Sequence, residues 1–126
     1  MGTARRCTSS LYVGERDMSS EVFELQAALC QAMSYPTRLE LVHILRNGAR
    51  CVDDLAKTTG VNLASVSRHL SILRNCGVVT ARRSGHEVLY ELANPKVAMI
   101  CDLMREVLVE QLDRQSAVVN GLTERL

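Results

Sequence analysis

Between Asn62 and Asn75 the sequence sets Ser65, Ser67, Arg68 and Ser71 on one side of a run whose other side carries Leu63, Val66, Leu70 and Leu73, with His69 and Arg74 flanking. Hydroxyls and a guanidinium are the groups that reach phosphate oxygens and base edges, and an arginine fork can make a bidentate contact to guanine. The small Ala64 near the start of the run permits close approach. Further on, Arg82, Arg83 and His86 gather around a Ser84-Gly85 turn signal, suited to touching phosphate or probing a minor groove. Polar residues on a solvated helix face are ordinary, so neither group decides anything alone. What matters is the order of the elements that hold them.

The second kind of reactive residue is cysteine. The five thiols, Cys7, Cys30, Cys51, Cys76 and Cys101, show neither the paired spacing of a zinc knuckle nor the density of a disulfide scaffold, and read as reduced. Cys51 directly precedes a helix, where the positive end of the dipole favours thiolate; Cys76 ends one, where thiolate is disfavoured. Cys30 and Cys101 fall on apolar stripes, the usual place of a cysteine acting as a small hydrophobe. His43, His69 and His86 are dispersed and form no ligand pair one helical turn apart, and His43 reads as a core-edge residue.

The whole chain has 126 residues, 47% hydrophobic and 23% charged, which suits one domain and argues against wholesale disorder. With three tyrosines, one phenylalanine and no tryptophan, the core must be built from aliphatic side chains, a palette for helices. No apolar run approaches the ~20 residues that cross a bilayer, and no apolar segment follows the arginines of residues 1–10 as a secretory signal requires. A cytoplasmic protein without a membrane partner is expected. The net charge of +1 conceals an asymmetry: Thr37 to Tyr90 holds eight Lys/Arg against four Asp/Glu, the remainder seven against ten. A basic middle between acidic ends suits a face turned to a polyanion.

Residues 1–18 lack apolar periodicity and read as a flexible arm. Ser19 or Ser20 caps a first helix to about Met33, with Val22, Leu25, Leu29 and Met33 at helical spacing. Pro36 opens a second helix that closes at Asn47-Gly48; Ala49-Arg50-Cys51 connects to a third over about Val52–Thr59; Asn62 caps a fourth, with Gly77 just beyond its end. The period then changes to two for a hairpin with Glu87–Leu92 as its second strand. Asn94-Pro95 starts a long last helix with apolar residues from Val97 to Leu112, and residues 116–126 are expected to fray. The core domain thus covers 19–115. Its fold class is mostly α with a β-hairpin wing, a winged helix-turn-helix in the order α1-α2-α3-α4-β-β-α5.

Four segments in this order resemble the ArsR/SmtB winged-helix repressors: Ala32 to Leu39 (AMSYPTRL), Cys51 to Ala56 (CVDDLA), Val66 to Arg74 (VSRHLSILR), and Gly77-Val78-Val79 before a wing ending Val88 to Leu92. The resemblance spans about Leu25–Glu110. It implies a homodimer paired mainly through its first and last helices, binding an imperfect inverted repeat in double-stranded operator DNA until an effector releases it. Leu63 and Ala64 stand where the family pattern usually has polar residues, whereas Ser67 and Arg68 match it well. Broad apolar coverage of the first and last helices supports pairing independently, since such patches mark interfaces. A two-fold pair sets recognition helices ~34 Å apart, one turn of the duplex.

The family's usual effectors are metal or metalloid ions, and some members sense thiol oxidation or reactive sulfur; for this chain the resemblance leaves open a soft metal or metalloid ion or an oxidant or sulfane sulfur. Its final-helix metal site corresponds here to Asn94, Lys96, Val107 and Glu110, of which only Glu110 is a competent ligand, so that site is rejected. Its third-helix cysteine site keeps Cys51, with Cys7 in the arm as a further ligand, but has Asp53 in place of a second cysteine, a poorer donor set for a soft ion. Cys51, Cys30 and Cys101 are therefore the candidate effector or redox residues, and Cys7 with Cys51 the candidate metal ligands. No cofactor is certain. A winged-helix module that binds protein and not DNA is the alternative reading. An enzyme is not expected, because no nucleophile–base pair, phosphate-binding glycine loop or catalytic carboxylate pair is present.

Overall fold

The computed structural model describes residues 19–125. By internal contacts the chain forms two units, residues 1–34 and Tyr35–Leu126. In the first, helix α1 spans Ser20–Ala32 and starts where expected: the Ser19 hydroxyl accepts from the Val22 amide at 3.3 Å, and Glu21 stands in the first turn. Phe23, Leu25 and Leu29 are exposed along it.

The second unit contains α2 (Pro36–Leu45), β1 (Arg50–Cys51), α3 (Val52–Thr59), α4 (Leu63–Asn75), β2 (Val79–Ser84), β3 (Glu87–Leu92) and α5 (Lys96–Arg125). Pro36 opens α2, giving up an amide that has no helical partner in any case. Helix α3 stops at Gly60, whose φ of 75° is the left-handed conformation glycine adopts without a Cβ penalty. Asn62 caps α4 by accepting from the Ser65 amide at 2.8 Å. The core is Leu41, Val42 and Leu45 of α2, Leu55 of α3, Val66, Leu70 and Leu73 of α4, then Val78, Val79 and Ala98. Helix α2 is its centre, packing on α3, α4, α5 and β3.

The connection before α3 is more ordered than its composition suggests. Arg50 and Cys51 pair with Tyr90 and Leu89, making a three-stranded antiparallel sheet in the order β1-β3-β2. At the hairpin tip Ser84 pairs with Glu87, leaving a two-residue loop with Gly85 at φ 63°, the glycine-first arrangement that matches strand twist.

The last helix corrects an expectation. Instead of fraying from residue 116, α5 continues to Arg125. No proline interrupts it, and the ~1 kcal/mol that Gly121 costs relative to alanine is small against the cooperativity of a helix of 30 residues. Two further expectations change. Leu63 is 49% exposed at the entry to α4 and not part of the core, and His43 is exposed, with its Nδ1 3.4 Å from Nη1 of Arg46. No helix among the described residues is long and apolar enough to cross a membrane.

Candidate nucleic-acid interface

Helix α4 has two faces of opposite character. Val66, Leu70 and Leu73 are completely buried, which fixes the rotation of the helix, and that rotation leaves Ser67, Arg68, Ser71 and Arg74 exposed. Ser65 and His69 lie half-buried at the edges. At ~1.5 Å per residue, the 13-residue helix is a rod of ~20 Å, enough to lay one turn in a groove while its back stays in the core.

The wing supplies a second basic surface. Arg82, Arg83 and His86 are all exposed, Arg83 on β2 and His86 in the tip loop. Arg82 Nε donates to Glu91 Oε1 across the hairpin at 3.3 Å, so this guanidinium is partly neutralised while Arg83 has no ion pair among the described residues. Between the wing and the start of α4 runs an open groove lined by Cys51, Asp53, Leu63, Ala64, Ser67 and His86 among others. Leu63 is therefore exposed because it forms one wall of that groove.

The fold that holds this helix face and wing is shared with known proteins. A family model described as bacterial regulatory protein, arsR family, matches residues 35–81. The solution structure of the homodimeric winged helix-turn-helix DNA-binding domain of Mb0332 from Mycobacterium bovis, described as a possible ArsR-family transcriptional regulator, is 32% identical with a TM-score of 0.68, covering 76% of this chain and 89% of that one. The chain belongs to the ArsR family. The HTH-type transcriptional regulator Rv0081 of Mycobacterium tuberculosis is 30% identical over 105 residues, 82% of this chain and 92% of its own. Its crystal structure gives a TM-score of 0.69 at 29% identity, covering 75% and 95% of the two chains. The HTH-type transcriptional repressor SmtB of the same organism is 42% identical over 80 residues, 64% of this chain and 59% of its own. This chain is accordingly a winged helix-turn-helix transcriptional regulator of that family.

The cysteines of this ArsR-family chain occupy four different settings among the described residues. Cys51 is the N-cap of α3, half-buried on the groove beside the wing; Cys76 is the exposed C-cap of α4; Cys30 is exposed on α1; Cys101 is half-buried on α5. Burial pushes the Cys101 thiol up, against the pull of Arg105 and Arg46, so it is a weaker nucleophile than an ordinary cysteine. Cys51 and Asp53 share the groove, but among the described residues no three His, Cys, Asp or Glu side chains come together as a metal ion would require. Cys7 lies outside the described residues.

Two polar arrangements are missing from the sequence-based reading. Arg46, at the end of α2, forks onto Asp102 of α5 with bonds of 2.7 and 2.5 Å, and Arg105 adds a third at 3.0 Å; these cations hold the Asp102 carboxyl down to about 2. Arg38 of α2 is buried, its guanidinium carbon 4.1 Å from the Tyr35 ring centroid and its Nε donating to His69 Nδ1 at 3.1 Å. Burial, then Arg38, then Arg68 lower the His69 pKa below its usual 6.5. An arginine in the first turn of a helix, at its positive end, and a histidine on the inner edge of another were the available signals.

Proposed function

We propose that this protein is a cytoplasmic repressor that binds, as a homodimer joined through α1 and α5, an imperfect inverted repeat in operator DNA, and is released by chemistry at its cysteines. The observation that carries the reading is the division of α4, with three leucine or valine side chains completely buried and the Ser67, Arg68, Ser71 and Arg74 face exposed beside a basic wing. In this reading Arg68 reads a base edge, Ser65, Ser67, His69, Ser71 and Arg74 contact bases or backbone, and Arg82, Arg83 and His86 follow the backbone beyond the groove. The apolar residues left uncovered along α5, from Met99 to Leu112, are what a second copy would cover.

For release, Cys51 is the first candidate because it opens onto the groove beside the wing, so a group added to its sulfur crowds the space between wing and recognition helix. Cys101 and Cys30 are the second, on the helices assigned to pairing; a bridge between them across the dimer changes the angle between the two heads. For tenfold weaker binding the effector must favour the DNA-incompetent form by only ~1.4 kcal/mol.

The test is mobility shift on the gene's own upstream DNA. Steep salt dependence is expected, with a loss of about ten- to a hundredfold for Arg68→Ala. A wild-type protein that gives no shift on any upstream duplex at low salt sinks the reading. Titration of the reduced dimer with a soft metal ion, peroxide or polysulfide, in wild type, Cys51→Ser and Cys101→Ser, then assigns the effector class.

A further inference from the structure

Arg38 is the charged side chain buried in the described core, at 7% exposure. Its position in the first turn of α2 is unfavourable on two counts, since burial penalises the charge and the helix dipole there is positive. The structure shows what this guanidinium does with its place: it stacks over Tyr35 and donates its Nε–H to Nδ1 of His69, 31 residues away on the recognition helix. Arginine stays protonated and has no acceptor, so the nitrogen it faces must present a lone pair. The imidazole is then neutral with its proton on Nε2.

We propose that Arg38 is a positioning residue for DNA binding, pinning α4 to α2 by holding His69 in the neutral Nε2–H tautomer, so that His69 meets DNA as an uncharged hydrogen-bond donor and not as a phosphate-binding cation. The DNA-facing half of this statement rests on the interface proposed above; the tautomer does not. Protonation of Nδ1 would set two donors against each other and break the pin. The charges acting on His69 work in the same direction: Arg38 from α2 and Arg68 from its own helix both disfavour imidazolium, and among the described residues no charged group of α3 or β2, which also pack on α4, is among them. Tyr35, tilted by 50° at 6.3 Å between centroids, closes one side of the ring.

Nitrogen-15 NMR of the imidazole in the free, full-length protein reads the tautomer directly. The expected spectrum has Nε2 protonated and Nδ1 bare at pH 7, staying neutral to below 6.5; an Nδ1–H tautomer, or imidazolium at pH 7, overturns the proposal whether or not the protein binds DNA. The second arm uses an upstream duplex that the wild type shifts. His69→Asn, whose Oδ1 replaces the Nδ1 acceptor, is expected to bind within about threefold of wild type, whereas His69→Ala and Arg38→Met each lose about tenfold, with an unchanged slope of affinity against salt. The two losses are expected to be less than additive in the double variant, since the Arg38–His69 contact is common to both. A shallower salt slope in His69→Ala, or no rescue by His69→Asn, overturns the positioning role. Backbone spectra of each variant confirm that it is folded.

Discussion

Helices α4 and α5 are both amphipathic, and the single chain treats them in opposite ways. The apolar side of α4 is finished: Val66, Leu70 and Leu73 have no exposed surface, so its polar side is aimed by a packed core. The apolar side of α5 is unfinished: among its described side chains only Ala98 is buried, while Leu103, Met104, Val107, Leu108 and Leu112 are each more than half exposed. One helix is positioned by its own chain, and the other is left for the second copy of the proposed dimer to cover. In that dimer, reading DNA with two heads divides into two separable problems, aiming each head and setting the distance between them.

Damaging each helix in turn separates the two roles. Leu70→Ala leaves a cavity where no surface was exposed and is expected to cost about 2–5 kcal/mol, enough to unfold the head of a marginally stable domain. Denaturant unfolding at several protein concentrations measures it; the loss is expected to be of similar size at each. Leu108→Glu is the converse. Leu108 is 52% exposed in the single chain, so the substitution leaves the head folded, yet sets two carboxylates in the proposed dimer seam. A dimer dissociation constant raised by about a hundredfold, seen by analytical ultracentrifugation with an unchanged circular dichroism spectrum, is the expected result. A Leu108→Glu variant that dimerises like wild type moves the interface elsewhere.

The same contrast explains what was legible in the sequence. Caps at Ser19 and Asn62, the proline at the start of α2 and the change of period after Gly77 are local signals, and the elements they mark form where expected. The polar face of α4 was legible because its buried face is made by residues three and four apart. Strand β1 was not, since two residues carry no period and Arg50 and Cys51 are ordered by pairing with Tyr90 and Leu89. The Arg38–His69 contact escaped for a related reason: each residue reads as ordinary in its own helix, and only the crossing of α2 and α4 brings them together. Leu63 has core spacing but lies one turn beyond the protection of the core, at the rim of the groove.

The smallest expected effect tests how the two regions are joined. Arg46 and Asp102 tie the end of α2, in the head, to the first turns of α5, and both side chains are about a third exposed, so the pair adds little to stability at neutral pH. It should nevertheless leave a pH signature. The Asp102 carboxyl is held at about 2 by Arg46 first and Arg105 second, below its ordinary 3.8. Its contribution is fully present above 3.8 and is lost as pH falls towards 2, because there the unfolded chain takes up a proton that the folded chain refuses. Thermal unfolding of wild type and Asp102→Asn across that window is expected to give melting temperatures that converge as acid is added, with wild type the higher above pH 4. If Asp102→Asn at neutral pH also weakens DNA binding while leaving the dimer intact, this fork helps to transmit the geometry of the pairing helix to the reading head; an unchanged affinity leaves that task to the apolar contacts between α2 and α5.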